Sequence, residues 1–250
     1  MHTDSLFTAE PFIIHQDYAT YTNEQHAVWA ELVRRVYPEL EKHAAREYLE
    51  GFEIVGLQRD RLPNLDLINK RLMPRTGWNC TSVSGFLPAA AFFELLAARQ
   101  FPTTTWLRSK DSLEYIPEPD IFHDVFGHVP MHAHSVFTES MERYGRLCAS
   151  TQSEQIIEKL SRAFWYTVEF GLIRQAGQVK AFGSGLMSSH GECMNVMNGN
   201  CAIHEFSLDE VLATPIRPNQ QHSLLFAVDS FEQIYDAMHE SERRAMNGTL

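Results

Sequence analysis

Pro117-Glu-Pro-Asp-Ile-Phe-His-Asp-Val-Phe-Gly-His-Val-Pro130 carries two histidines, His123 and His128, five positions apart among apolar residues. On a straight α-helix five residues turn through about 500°, so the two side chains would diverge by about 140°. An unbroken α-helix therefore cannot aim both at one point. Gly127 tolerates a helix-ending conformation, and Pro130 opposes resumption nearby. The spacing predicts a short helix from about Pro119 to Phe126, with His123 on it and His128 just past its end.

A third group that could join them lies in Phe164-Trp-Tyr-Thr-Val-Glu-Phe-Gly-Leu-Ile173, where Glu169 is 41 residues beyond His128. The residues from Ala163 to Ile173 are almost all apolar, which predicts a buried helix. A buried carboxylate is costly unless a cation or metal compensates it. Trp165 and Glu169, at i and i+4, are expected to share a face. Two imidazoles and one carboxylate on one side of a metal leave its other positions open, a set suited to non-haem Fe(II) and oxygen chemistry. The residues alone leave other readings open. With 12 histidines in the chain, a short His–His spacing arises by chance. Glu169 could pair with Arg162. His128, His132 and His134 could form a different metal set. Pro130 interrupts that i,i+4 pair, however, and no Glu follows the first His, so both the helix and the base of an H-E-x-x-H zinc site are missing.

The 250 residues are 44% hydrophobic, enough for one sizeable core and compatible with a single domain over residues 1–250. A net charge of −11 argues against nucleic acid or an anionic membrane as partner. Cys80, Cys148, Cys193 and Cys201 form no C-x-x-C pair, which points to a reducing cytoplasm and away from a disulfide framework. There is no basic-then-apolar signal at the start. No apolar run approaches the ~18 residues of a membrane span.

Along the chain, residues 1–20 read as an extended lead-in. Thr22-Asn-Glu-Gln25 fits a capping box, and a helix follows to about Tyr37, with Pro38 starting the next one through Leu49. Another helix begins near Asn64. Residues 76–88 read as a loop or short strand, after which Pro88 opens a helix over Ala89–Arg99. Thr103-Thr-Thr-Trp-Leu-Arg108 reads as a strand with Arg108 at its end. Helices are expected over Ser135–Ser150 and Glu154–Gln175, and a last helix from Ser230, frayed over about 240–250. The expected class is mostly α with a few short strands.

The run PEPDIFHDVFGHVP, then FWYTVEFGL, then Ala181-Phe-Gly-Ser-Gly-Leu-Met-Ser-Ser-His-Gly-Glu192 resembles the aromatic amino acid hydroxylases, and among them the short bacterial phenylalanine 4-hydroxylases. The similarity is collinear from about Tyr18 to Phe206 and resumes at Val228-Asp-Ser-Phe231. It implies that His123, His128 and Glu169 hold Fe(II), with a tetrahydropterin as cofactor and O2 as co-substrate. It implies a pterin cradle at Val83, Gly85, Phe86, Leu87, Ala89 and Phe92. A flat heteroaromatic ring wants an aromatic to stack on and free backbone groups for its amide edge. Asp124 matches an acid near the pterin, usually Glu in the family. For the substrate, the resemblance implies Arg108 as carboxylate clamp oriented by Asp120, with Ile116, Pro117, Trp165, Phe170, Gly185 and Ser188 around it. Thr is frequent in the family at Ile116. A guanidinium suits the clamp because it binds carboxylates bidentately.

The implied activity is hydroxylation of L-phenylalanine to tyrosine by a monomer. The clearest departure is Gln221-His-Ser223, where the family usually has an aromatic-Gln-Pro run near the active-site mouth; it puts ring position and substrate preference in question. Rival readings are the same chemistry on tryptophan, tyrosine or the meta carbon of phenylalanine, a zinc hydrolase, and a non-catalytic metal-binding protein.

Overall fold

Thr22 caps the first long helix as its sequence predicts: its side chain accepts from the Gln25 N–H, and the Gln25 side chain accepts from the Thr22 N–H. The computed structural model describes residues 8–113, 116, 118–218 and 220–250. Ahead of the cap, the lead-in is not simply extended. It contains 3-10 turns at Glu10–Phe12 and Tyr18–Thr20, with Ile13 bridged to Val83.

Helix α1 (Asn23–His43) runs through Pro38 where a break was expected. One missing backbone bond is outweighed by the burial of Val33, Val36, Tyr37 and Leu40 around it. The break comes at Ala44 and Ala45, both extended, and α2 (Arg46–Val55) follows. Helix α3 (Leu65–Thr76) starts behind Asn64, whose side chain accepts from the Leu67 N–H. Strand β1 (Asn79–Val83), helix α4 (Ala89–Ala97) and strand β2 (Gln100–Thr104) come next; β1 and β2 pair in parallel, Asn79 opposite Gln100. The strand expected over 103–108 thus sits earlier, and Arg108 lies in the loop beyond it.

After α5 (Ser135–Ala149) and α6 (Glu154–Phe164), the helix expected to reach Gln175 ends at Glu169. Strand β3 (Leu172–Gln175) takes over. An apolar run this short looks the same whether it ends a buried helix or forms a buried strand. Strands β4 (Gln178–Ala181), β5 (Ala202–Glu205) and β6 (Leu224–Val228) complete a sheet in the order β4-β3-β6-β5, antiparallel only at β3–β4. Helices α7 (Ser184–Met187), α8 (His190–Met197), α9 (Leu208–Ala213) and α10 (Phe231–Met246) fill the remainder. Residues 240–246, expected to fray, belong to α10. The architecture is mostly helical with short strands, as the sequence implies, and no helix of the described residues is long and apolar enough to cross a membrane.

The two segments bearing the ligating residues are π-helices, Phe122–His128 and Trp165–Glu169. In an i→i+5 helix, residues five apart stand one above the other. That resolves the spacing which an α-helix could not accommodate: His128 is not past the end of a helix but on the same face as His123. The first π-helix is held by its opposite face. Phe122 and Phe126 stack at 4.6 Å and meet Trp29 edge-on, Phe52 packs on Phe126, and the Tyr48 hydroxyl donates to the Phe126 carbonyl at 2.7 Å.

Gly51 of α2 faces Pro130, two residues past His128. A Cβ there would lie 2.0 Å from the Pro130 carbonyl oxygen. Gly51→Ala should force α2 and the ligand segment apart, at a cost of about 3 kcal/mol or a melting temperature about 6–12 °C lower. It should also weaken metal binding. Calorimetric melting within a degree of wild type would show that the contact relaxes freely.

Candidate metal centre

His123 and His128 present their Nε2 atoms to one point, 3.3 Å apart, with the rings edge-to-face. The Glu169 carboxylate closes the triangle: Oε1 is 3.3 Å from His128 Nε2 and Oε2 is 3.6 Å from His123 Nε2. A divalent first-row cation bound at about 2.0–2.2 Å separates neighbouring ligand atoms by roughly 3.0–3.5 Å. The donor set therefore fits a single cation with few adjustments. Among the described residues, this is the only His/Cys/Asp/Glu group of three that converges in this way.

The surrounding bonds prepare the site for a cation. Ser188 Oγ donates to the Ser184 carbonyl at 2.8 Å, so it accepts from His123 Nδ1–H at 2.9 Å. That fixes the proton on Nδ1 and leaves the Nε2 lone pair facing the centre. Ser184 Oγ donates to Glu169 Oε2 at 2.7 Å. Burial would raise the Glu169 carboxyl, but His128, His123 and Ser184 outweigh it and bring it down to about 2. Burial lowers His123 despite Glu169 nearby. Both effects favour the ligating protonation states. No Lys or Arg among the described residues pairs with Glu169; Arg162, the alternative partner, bonds Glu158 and the Leu212 carbonyl. The rival histidines point elsewhere: His132 Nδ1 meets the His128 carbonyl at 3.0 Å within the core, and His134 Nε2 meets the Glu47 carbonyl at 2.7 Å.

Gly127 does not end a helix. It lies inside the π-helix, where a Cβ would come 2.9 Å from the Ser184 carbonyl. Its bareness lets α7 approach closely enough for Ser184 and Ser188, one turn apart, to reach Glu169 and His123.

Two clefts meet at the triad. One, of about 400 Å³, is lined by Val83, Gly85, Phe86, Leu87, Ala89, Phe92 and Asp124, every position expected around a pterin. The other, of about 530 Å³, is lined by His123, Arg108, Ile116, Trp165, Phe170, Gly185 and Ser188. Glu169 and Trp165 line both, so the shared face expected for them is present. His128 is 4% exposed and supports the centre from behind. A separate cleft of about 630 Å³ beside Arg46, Arg75 and Asp229 contains none of these residues.

Asp120 lines neither cleft. It is fully buried behind Arg108, accepting from its Nε and Nη2, both at 2.8 Å, and from its backbone N–H at 3.0 Å. Asp124 accepts from the Thr104 N–H and hydroxyl, both at 2.7 Å and both on Oδ2. Burial raises its carboxyl, with His123 and Thr104 opposing. Pro117 lies outside the described residues.

The family model for biopterin-dependent aromatic amino acid hydroxylases matches residues 9–247. The chain belongs to this family. Phenylalanine-4-hydroxylase of Mesorhizobium japonicum is 40% identical over 237 residues, 94% of this chain and 86% of that one. A crystal structure of Chromobacterium violaceum phenylalanine hydroxylase with iron(III) and 7,8-dihydrobiopterin superposes with a TM-score of 0.88 at 36% identity, covering 95% of this chain and 87% of that one. Another structure from that organism, with iron and phenylalanine bound, gives 0.85 at 35%, covering 94% and 87%.

Several residues of the site were given no role in the sequence reading, which marked the segment holding His222 only as a departure from the family pattern. Ser184 and Thr104 hold the acids; Trp106 and Ile216 line the first cleft; Glu192 and His222 line the second. Ser184 and Ser188 were findable as hydroxyls at i,i+4. Trp106, Ile216, Glu192 and His222 reach the site through tertiary packing.

His123→Ala, His128→Ala and Glu169→Ala should each lose most bound iron, since three ligands leave no spare donor. Ser184→Ala should keep the ligands but bind iron about tenfold or more weakly. Metal analysis after dialysis checks both. Full iron in any one ligand variant removes that residue from the set.

Proposed function

We propose that the protein hydroxylates L-phenylalanine to L-tyrosine with O2 and a tetrahydropterin, at one Fe(II) held by His123, His128 and Glu169, in one catalytic domain spanning the chain. The observation that carries this is the placement of the triad at the junction of the two clefts. Support for phenylalanine comes from the relatives named phenylalanine-4-hydroxylase and from the C. violaceum structure holding iron and phenylalanine.

Iron and the reduced pterin, when bound, supply the reductive activation of O2 from which one oxygen enters the aromatic ring. The protein's task is positioning and shielding. In the first cleft, Phe92 offers a face for a heteroaromatic ring, and the backbone from Gly85 to Leu87 offers polar groups to its edge. Asp124 keeps Oδ1 free for a ring N–H because Thr104 occupies only Oδ2. In the second cleft, Asp120 takes one side of the Arg108 fork and leaves the Nη1–Nη2 edge for a substrate carboxylate. Trp165 and Phe170, with ring centroids 4.7 Å apart, form an aromatic wall of the cleft that Arg108, His123 and Glu169 also line.

A second reading keeps the chemistry but changes the substrate or ring carbon. It is favoured by His222, a polar residue in the wall of the amino acid cleft. One experiment tests both: anaerobic Fe(II) loading, then O2, a tetrahydropterin and each aromatic amino acid, with products located by mass spectrometry and NMR. Tyrosine from phenylalanine, formed in step with pterin oxidation, is the expected result. Turnover of any substrate without O2 or pterin would favour a hydrolase and sink the proposal.

Arg108→Lys keeps a charge against Asp120 but loses the planar edge. It should raise KM for phenylalanine and cost roughly 1.5–3 kcal/mol, or about 10- to 150-fold, in kcat/KM. Iron content and pterin affinity should stay near wild type, and more pterin should be oxidised per product. An unchanged KM in the iron-loaded variant would dismiss the carboxylate clamp.

A further inference from the structure

His222 sits in the amino acid cleft with both ring nitrogens engaged. Trp165 Nε1–H donates to His222 Nε2 at 3.0 Å. An indole nitrogen only donates, so Nε2 is bare and Nδ1 carries the proton. Nδ1 lies 3.0 Å from Glu192 Oε2 and donates to it. The His222 carbonyl accepts from Asn195 Nδ2 at 3.0 Å. Glu192 and Asn195 both belong to α8, so one helix fixes both the backbone and the ring of His222. The imidazole also lies on Phe170, with centroids 4.0 Å apart, and its side chain is only 8% exposed.

Three rings thus form one unit: Trp165 against Phe170, Phe170 against His222, His222 bonded to Trp165. Without the bond to His222, the indole would keep its packing against Phe170 but lose the hydrogen bond that, among the described residues, directs its N–H. The indole face and edge differ in shape and in charge, so its rotation decides how a substrate ring can lie against it.

We propose that His222 is a specificity-determining positioning residue, which acts through Trp165 and Phe170 to select the substrate ring and the ring carbon turned toward the triad. This rests on the reading of the 530 Å³ cleft as the aromatic amino acid site. His222 itself takes no part in the chemistry.

The test compares His222→Leu, which removes the acceptor at similar volume, with His222→Gln. The glutamine amide can accept from Trp165 and donate to Glu192, as the imidazole does. The first readout is the Trp165 indole N–H resonance in iron-free protein, identified by its loss in Trp165→Phe. It should move upfield in His222→Leu and stay in place in His222→Gln. The second is the ratio of kcat/KM for phenylalanine to that for tryptophan, with product positions. His222→Leu should change the ratio about tenfold, the scale of one hydrogen bond, and spread hydroxylation over more than one carbon. His222→Gln should stay within about twofold of wild type, and His222→Leu should add less than about twofold in a Trp165→Phe background.

Should His222→Leu fail to fold, Glu192→Ala unties the imidazole and should shift both readouts the same way. An unmoved indole resonance, an unchanged ratio and product pattern in a folded variant, or equal effects of Leu and Gln would each overturn the proposal. These failures are distinct from failure of the site reading. If wild-type protein hydroxylates no aromatic amino acid, that reading falls and takes this proposal with it.

Discussion

The five-residue register of the two π-helices is the constraint on which the site depends. A helix with i→i+5 bonds aligns positions that an α-helix would send apart. In the first, it aligns His123 with His128. In the second, whose last bond runs from the Phe170 N–H to the Trp165 carbonyl at 2.9 Å, it aligns Trp165 with Phe170. One π-helix makes the metal pair and the other makes the aromatic wall. Such helices are rare and poorly stabilised by their own bonds, so tertiary packing must hold them. The Phe122–Phe126 stack wedged against α1 and α2 does this for the first, and α7 closes over Gly127 on its ligand side.

Buried acids tie the ligand helix to both clefts. Asp120 has no exposed surface, yet it accepts four bonds, three from Arg108 and one from the His123 N–H at 3.2 Å. A buried carboxylate with one partner would be destabilising; one with a full set of donors holds its neighbours in place. Asp120 thereby fixes the Arg108 fork to the start of the ligand helix. Asp124, four residues on, ties the same helix to Thr104 at the end of β2. The distance between the Arg108 guanidinium and the metal centre is thus set through one short segment.

Much of this was legible in the chain. The capping box at Thr22, the helix starts at Asn64 and Pro88 and the mostly helical class follow from local chemistry, and the ligand triad follows from motifs with wide sequence coverage. What was not legible depends on competition between local rules and tertiary contacts. Five-residue spacing reads as a break under α-helical geometry, because the π alternative is stable only inside this packing. Pro38 reads as a helix start, and burial of Tyr37 and Leu40 overrides it. Leu172–Gln175 reads as helix because its apolar run continues from one; only its neighbours β4 and β6 make it a strand. Gly127 was rightly seen as special for the wrong reason. It is needed for the close approach of Ser184, not for a turn.

The second π-helix joins two properties that are often separable in enzymes. Glu169 ends it and Trp165 begins it, and both line the two clefts. A rotation of that segment that widened the wall for a larger ring would also move the carboxylate on the metal. Ser184 holds one end through Glu169, and Glu192, by way of His222, holds the other through Trp165. The wall is therefore more easily altered from outside the segment than from within it. A residue such as His222, on a separate loop, can change how the indole is held without displacing a ligand. Variation in ring preference on this fold should then concentrate in the loop before β6, while the segment from Trp165 to Glu169 stays bound by the geometry of the centre.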